Sequence, residues 1–172
     1  MKTELNIYTD IIAVIREGLY VLGYADWDVR QGIQPFISSI KKPTLVITML
    51  SSPRYGWQHS SDEIGDTIVH KEKLYQEFNF SLQAVQKTGG VNQSLNVINA
   101  IALFLNSDQG VNALQIRGYG IDRIRDIRTG FVSNDSDVYE RVPSFDFAVN
   151  TLQTLTSDVP EIAKIDEDLR RL

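Results

Sequence analysis

The chain has 172 residues, 42% hydrophobic and 23% charged, with a formal net charge of −5, the profile of one folded domain able to bury its own core. It contains no Cys, which excludes disulfide frameworks, Cys-ligated zinc, iron–sulfur clusters and thiol nucleophiles, and its two His, at 59 and 70, leave little for metal chemistry. The acidic balance argues against a protein whose main work is gripping a phosphate backbone, and the lack of an 18-residue apolar run or a leader-like N-terminus gives the expectation of a soluble, unexported chain with no membrane partner.

From Leu5 the apolar residues Leu5, Tyr8, Ile12, Ile15, Leu19 and Leu22 recur in steps of three and four, which predicts a core-facing helix. Gly18 lies inside it at a cost of about 1 kcal/mol relative to Ala, and Gly23 is placed to end it as a left-handed cap. Asp26 to Pro43 reads as turn-rich. Thr44 to Leu50 is short, β-branched and almost wholly apolar, the pattern of a central strand buried on both faces. Ser51 to Asp66 is too polar and broken for a regular element and reads as a long loop, either functional or disordered. Leu74, Phe78, Phe80, Leu82 and Ala84 then alternate with polar residues. If pairing runs from Thr67 to Ala84, the strand spans on the order of 55 Å at about 3.3 Å per residue. Part of it is expected to project beyond the domain body, offering unpaired edge groups to another chain.

Lys87-Thr88-Gly89-Gly90 breaks that strand, and Leu95, Ile98, Ala102 and Leu105, flanked by Val97, Ile101 and Phe104, predict a second helix. Val111 to Ile116 suggests a short helical turn, Ile121 to Thr129 has β character with charges on both faces, and Arg141 to Leu155 reads as another half-buried strand. After Pro160, Ile162, Ile165, Leu169 and Leu172 fall on one side of a would-be amphipathic helix, marginal in water without a surface to lie on. The fold class expected is α+β, an α/β sandwich: a mostly antiparallel or mixed sheet of four to five strands with two or three helices packed on it. Residues 1–159 form a single domain in this reading, and 160–172 a C-terminal tail.

Catalytic signatures are few. His59-Ser60-Ser61-Asp62 holds the residue types of a hydrolytic triad, but neighbours on one loop point apart and no Gly-x-Ser-x-Gly accompanies them. His70 and Glu72 would share one strand face, which fits a surface ion pair better than a metal site needing three or four converging ligands. Gly118-Tyr119-Gly120 and Gly89-Gly90 lack the spacing of a dinucleotide loop and read as turns. No catalytic residue, cofactor site or metal site is therefore assigned. Arg117, Arg123, Arg125 and Arg128 cluster against Asp122 and Asp126; on one strand, Arg117, Arg123 and Arg125 would share a face. That segment is either a solvated edge with local ion pairs or a subunit interface, where Arg is enriched; sequence-specific nucleic-acid readout lacks a supporting motif. Arg54, Tyr55 and Trp57 are the residue types of binding hot spots, unless Trp57 folds back over a sheet edge.

The order of these segments resembles the tail terminator, or neck terminator, proteins of tailed bacteriophages. The likeness is carried by the amphipathic first helix, Pro43 leading into Thr44-Leu45-Val46-Ile47-Thr48, and Leu50-Ser51-Ser52-Pro53-Arg54-Tyr55-Gly56-Trp57. It continues through the strand ending Phe78-Asn79-Phe80, the helix after Gly89-Gly90, and Tyr139-Glu140-Arg141 ahead of Phe145-Asp146-Phe147. It covers most of residues 1–155 and leaves the tail outside. The resemblance implies a structural protein without catalysis or cofactor, forming a homo-oligomeric, usually hexameric, ring at the head-proximal end of a tail tube. There it would stop tube polymerisation and meet head-completion or neck proteins while DNA passes through the channel. It implies a place in the virion, reached by assembly in the host cytoplasm. On this reading Arg117, Arg123, Arg125, Arg128, Glu140 and Arg141 are subunit-interface candidates. Arg54, Tyr55 and Trp57 are candidates for tube or neck contact, and Ile162, Ile165, Leu169 and Leu172 for docking of the tail. The alternatives are another head–tail joining or tail-completion component, a small hydrolase using the His59 region, or a nucleic-acid module using the Arg segment.

Overall fold

A computed structural model describes residues 4–32, 42–64, 67–86, 91–124, 126–133 and 139–160. The first helix, α1 (Glu4–Val21), forms where the periodicity predicts it. Its most deeply buried residues are Ile7, Ile11, Val14, Ile15 and Leu19, so the core face is turned by about one residue from the expected stripe. Tyr8 and Ile12 lie on the flank instead. The reason is polar: the Tyr8 hydroxyl accepts from the backbone N–H of Met49 at 2.7 Å, while its ring meets Phe80 edge-on, which holds the phenol at the margin of the core. The helix ends in a Schellman motif: Gly23 has φ of +80°, its N–H donates to the Tyr20 carbonyl, and the Tyr24 N–H donates to that of Leu19.

Strand β1 (Asp28–Gln31) arises within the stretch read as turns and pairs in parallel with β2 (Thr44–Ser51), Val29 opposite Leu45. Thr44 to Ile47 are buried on both faces, as expected of a central strand, but the far end of β2 opens to solvent. The long strand is β4 (Thr67–Val85), close to the bounds anticipated. It runs antiparallel to β2, with Leu45 opposite Ala84, Ile47 opposite Leu82 and Met49 opposite Phe80, and a bulge at Leu50. Facing pairs of this kind keep both apolar sets on one side of the sheet.

The stretch read as a long loop is mostly strand. Residues Arg54–Ile64 form β3, paired antiparallel with β4. Its described side chains are exposed from Arg54 to Ser61, so neither face carries the apolar alternation by which a core strand is recognised. Backbone bonding to β4, with cross-strand contacts such as Tyr55 on Tyr75, makes the strand.

Helix α2 (Val91–Asn106) buries Val97, Ile98, Ile101, Phe104 and Leu105, and α3 (Asp108–Ile116) extends the short turn expected there. Ser107 caps α3, its hydroxyl accepting from the Gly110 N–H, and a second Schellman motif closes the helix at Gly118, φ +80°. The segment expected to be one strand then divides into β5 (Gly120–Ile121), a loop, and β6 (Ile127–Ser133). Both pair antiparallel with β7 (Tyr139–Pro160), a strand longer than its alternating core predicts.

Seven strands make one mixed sheet in the order β1-β2-β4-β7-β5, with β3 on β4 and β6 on β7. The α+β class holds, with three helices among the described residues, and the strand number exceeds four to five because short or solvated strands leave weak sequence patterns. Two compact units divide the chain. The larger comprises Lys2–Pro53 and Glu77–Thr151. Its core joins α1 and α2 to Leu45, Ile47, Phe78, Phe80, Leu82, Phe145, Phe147 and Val149, with Phe80 stacked on Phe147. Each such side chain withdrawn from water contributes about 1.5–3 kcal/mol before conformational entropy is set against it. The smaller unit comprises Arg54–Gln76 and the chain from Leu152. In it Gln76, 5% exposed, accepts a hydrogen bond from the Gln153 amide at 2.7 Å.

Candidate interaction surfaces

The arginines singled out in the sequence do not form one strand face. Arg117 terminates α3, and its Nη1 donates to the Ala113 carbonyl at 2.7 Å. Arg123 is exposed in the loop between β5 and β6. That loop is pinned by one side chain: the Asn106 amide donates to the Ile124 carbonyl and accepts from the Ile124 N–H, both at 2.9 Å. Two bonds from the end of α2 thus fix the backbone next to Arg123. Arg128, on β6, is engaged in an ion pair with Asp146 of β7. Arg123, Asp126, Arg128 and Asp146 line a cleft of about 320 Å³ in which two cations meet two anions. Among the described residues its charges balance, and a mixed polar surface of this kind suits a complementary protein surface.

Arg125 and the tail residues Ile162, Ile165, Leu169 and Leu172 lie outside the described residues. Glu140 and Arg141 take their places on β7 opposite Val132 and Phe131, with their side chains outside the described set.

The second candidate surface is the antiparallel ribbon of β3 and β4. Arg54 falls opposite Gln76 and Tyr55 opposite Tyr75, whose ring it stacks against at 5.7 Å. The register then slips, so that Gly56 and Trp57 together oppose Leu74. Gly56 has φ of +72°, the left-handed conformation that opens a G1 bulge and that other residues adopt at a cost. Trp57 remains 66% exposed rather than folding back. The bulge twists the ribbon locally and presents the indole to solvent, an arrangement that marks an interaction residue more than a core one. Beyond the bulge, His59 stands opposite Glu72 and Ser61 opposite His70.

The hydrolase constellation does not assemble. Ser61 meets His70 and His59, both on the exposed ribbon, whereas Asp62 is out of phase with Ser61, opposite Val69. Nor do three His, Asp or Glu groups converge on a metal position among the described residues. Among those residues no helix is long and apolar enough to cross a membrane.

The fold has a counterpart among solved structures. The fold is similar to that of the PVC sheath/tube terminator, determined by cryo-EM in its extended state within an extracellular contractile injection system. The TM-score is 0.54 at 13% identity, over 97% of this chain and 64% of that one, so this chain spans less than two thirds of its length. Residues 6–161 match the family described as E217 gateway protein gp29, and the chain belongs to that phage gateway-protein family. No curated protein sequence gives a significant match.

Proposed function

We propose that the chain is a structural virion protein of the head–tail region that assembles into a ring at the head-proximal end of the tail tube. There it ends tube polymerisation and joins the tail to head-completion or neck proteins, without catalysis. The observation that carries this reading is the gateway-family match over residues 6–161, supported by the fold likeness to a sheath/tube terminator.

Exposed β3 strand, the outward Trp57 and the charged cleft beside Arg123 are suitable for contacts between subunits and with tube or neck. Six copies would carry six times −5, a formal charge of −30. Acidic channel walls would let DNA slide through rather than bind.

The test is mass in solution by light scattering, with and without purified tail tubes. A mass near about 117 kDa, six times 19.5 kDa, or a ring formed only on tubes, is the expected result. A strict monomer that ignores the tubes would overturn it.

A further inference from the structure

The only two histidines of the chain meet on one face of the β3/β4 ribbon. Their positions in the sequence set them apart, but the antiparallel register places His59 opposite Glu72 and Ser61 opposite His70, so the imidazoles are diagonal neighbours. The rings lie with centroids 5.2 Å apart and planes inclined by 26°. Between them, Ser61 Oγ is 2.8 Å from His70 Nδ1 and 3.4 Å from His59 Nε2. One nitrogen of each ring therefore faces the same oxygen, with His59 exposed and His70 half-exposed on the ribbon.

We propose that this is a binding site for a divalent transition cation of the imidazole-preferring class, Zn²⁺, Ni²⁺ or Cu²⁺. His59 Nε2 and His70 Nδ1 are its two nitrogen ligands, with the Ser61 hydroxyl and water completing the shell. Tetrahedral Zn²⁺ with bonds of about 2.0–2.1 Å needs its two nitrogens about 3.3 Å apart, and the two nitrogens here already converge on one oxygen. Mg²⁺ and Ca²⁺ are poor occupants, because they select oxygen cages rather than imidazole. Among the described residues no third His, Asp or Glu joins the pair, and two imidazoles with a hydroxyl and water bind a cation more weakly than a closed four-ligand site. An ion held there would tie β3 to β4 beyond the Gly56–Trp57 bulge, fastening the solvated strand to its neighbour. This inference rests on the ribbon alone and stands or falls independently of the terminator reading.

The experiment is a Zn²⁺ titration of the full chain, followed in the imidazole ¹H–¹⁵N correlations, which two histidines leave uncrowded. Both rings are expected to shift together and to saturate at one Zn²⁺ per chain, while Mg²⁺ moves neither. A shift of one ring alone, saturation only at two ions per chain, or no shift at millimolar Zn²⁺ would overturn the proposal. His59→Gln and His70→Gln are each expected to weaken Zn²⁺ binding at least tenfold, and wild-type affinity in either folded variant would also overturn it. Because the first readout uses the unaltered chain, a variant that fails to fold leaves the question decidable.

Discussion

Gly18 of α1 and Phe104 of α2 approach so closely that no side chain fits between them: a Cβ on Gly18 would lie 2.6 Å from Cδ1 of the Phe104 ring. The glycine that weakens α1 by its conformational freedom is thus the residue that lets the two helices meet.

Gly18→Ala tests which effect wins. Helix propensity alone would gain about 1 kcal/mol, but displacing a buried aromatic ring costs about 1–3 kcal/mol. A lower unfolding midpoint in denaturant is expected. Phe104→Leu will destabilise on its own, and the double variant is expected to lose less than the sum of the two, since the smaller side chain makes room for the methyl. Strict additivity in that cycle would refute the steric account.

Tyr119, 2% exposed, follows the second Schellman motif and donates its hydroxyl to Asp10 Oδ2 of α1 at 3.0 Å. Burial, reinforced by the neighbouring Asp10 carboxylate, raises the phenol's pKa well above its ordinary value. A raised folded value means that the unfolded chain gives up this proton first as pH climbs. The stability contributed is therefore fully present below about pH 10 and is lost as pH rises beyond it. Ultraviolet titration should show one tyrosine that ionises only as the chain unfolds. Tyr119→Phe should remove that step and cost about 1 kcal/mol at neutral pH.

Asp28 opens β1 and gathers three partners. Arg30 Nε donates to Oδ2 at 2.8 Å, the Val29 N–H donates to Oδ1 at 2.8 Å, and Arg16 Nη2 lies 3.7 Å from Oδ1. The Arg30 hydrogen bond, above all, lowers its pKa. A depressed folded value contributes stability above the unfolded pKa, about 3.9, and loses it as pH falls through the lower folded value. Unfolding free energy measured between pH 5 and pH 2 should fall less steeply in Asp28→Asn than in the wild type. The difference at neutral pH should stay below about 1 kcal/mol, because the cluster is partly solvated.

What could be read from the sequence follows from which residues carry a core-facing period. Ile7 to Leu19, Val97 to Leu105 and Phe78 to Ala84 do, and their elements emerge where expected. The face of α1 was displaced because Tyr8 looks apolar in a periodicity count yet is held at the core margin by its hydroxyl. Strand β3 is not legible for a stronger reason, since it is held by its pairing with β4 and no apolar alternation records that pairing. The Gly65-Asp66 dipeptide ahead of Thr67-Ile68-Val69 has the composition of a short hairpin connection and was the available signal. With β3 read as a loop, His59 and His70 could not be seen as neighbours. The Arg segment failed similarly: Asn106 holds Ile124 out of the strand ladder, and nothing in the period of residues 117–128 announces a clamp from another helix.

The ring reading singles out Arg123 over Arg128 as the arginine to reverse. Arg128 is engaged with Asp146, so Arg128→Glu sets two carboxylates face to face and disturbs the local fold together with any contact it makes. Arg123 is exposed on a loop whose backbone is fixed from elsewhere by Asn106, so Arg123→Glu changes the sign of a surface charge while leaving that scaffold intact. Its thermal midpoint should stay within about 2 °C of the wild type, the usual consequence of a solvent-facing substitution. Subunit association, read as mass by light scattering in the presence of tubes, should fall at least tenfold if this surface lies between copies. A Trp57→Ala variant separates the second surface, because loss of tube or neck binding with an unchanged ring mass would place Trp57 outside the subunit contact. If Arg123→Glu assembles as the wild type does, the cleft is only a solvated charge network, and the search for the interface moves to the ribbon.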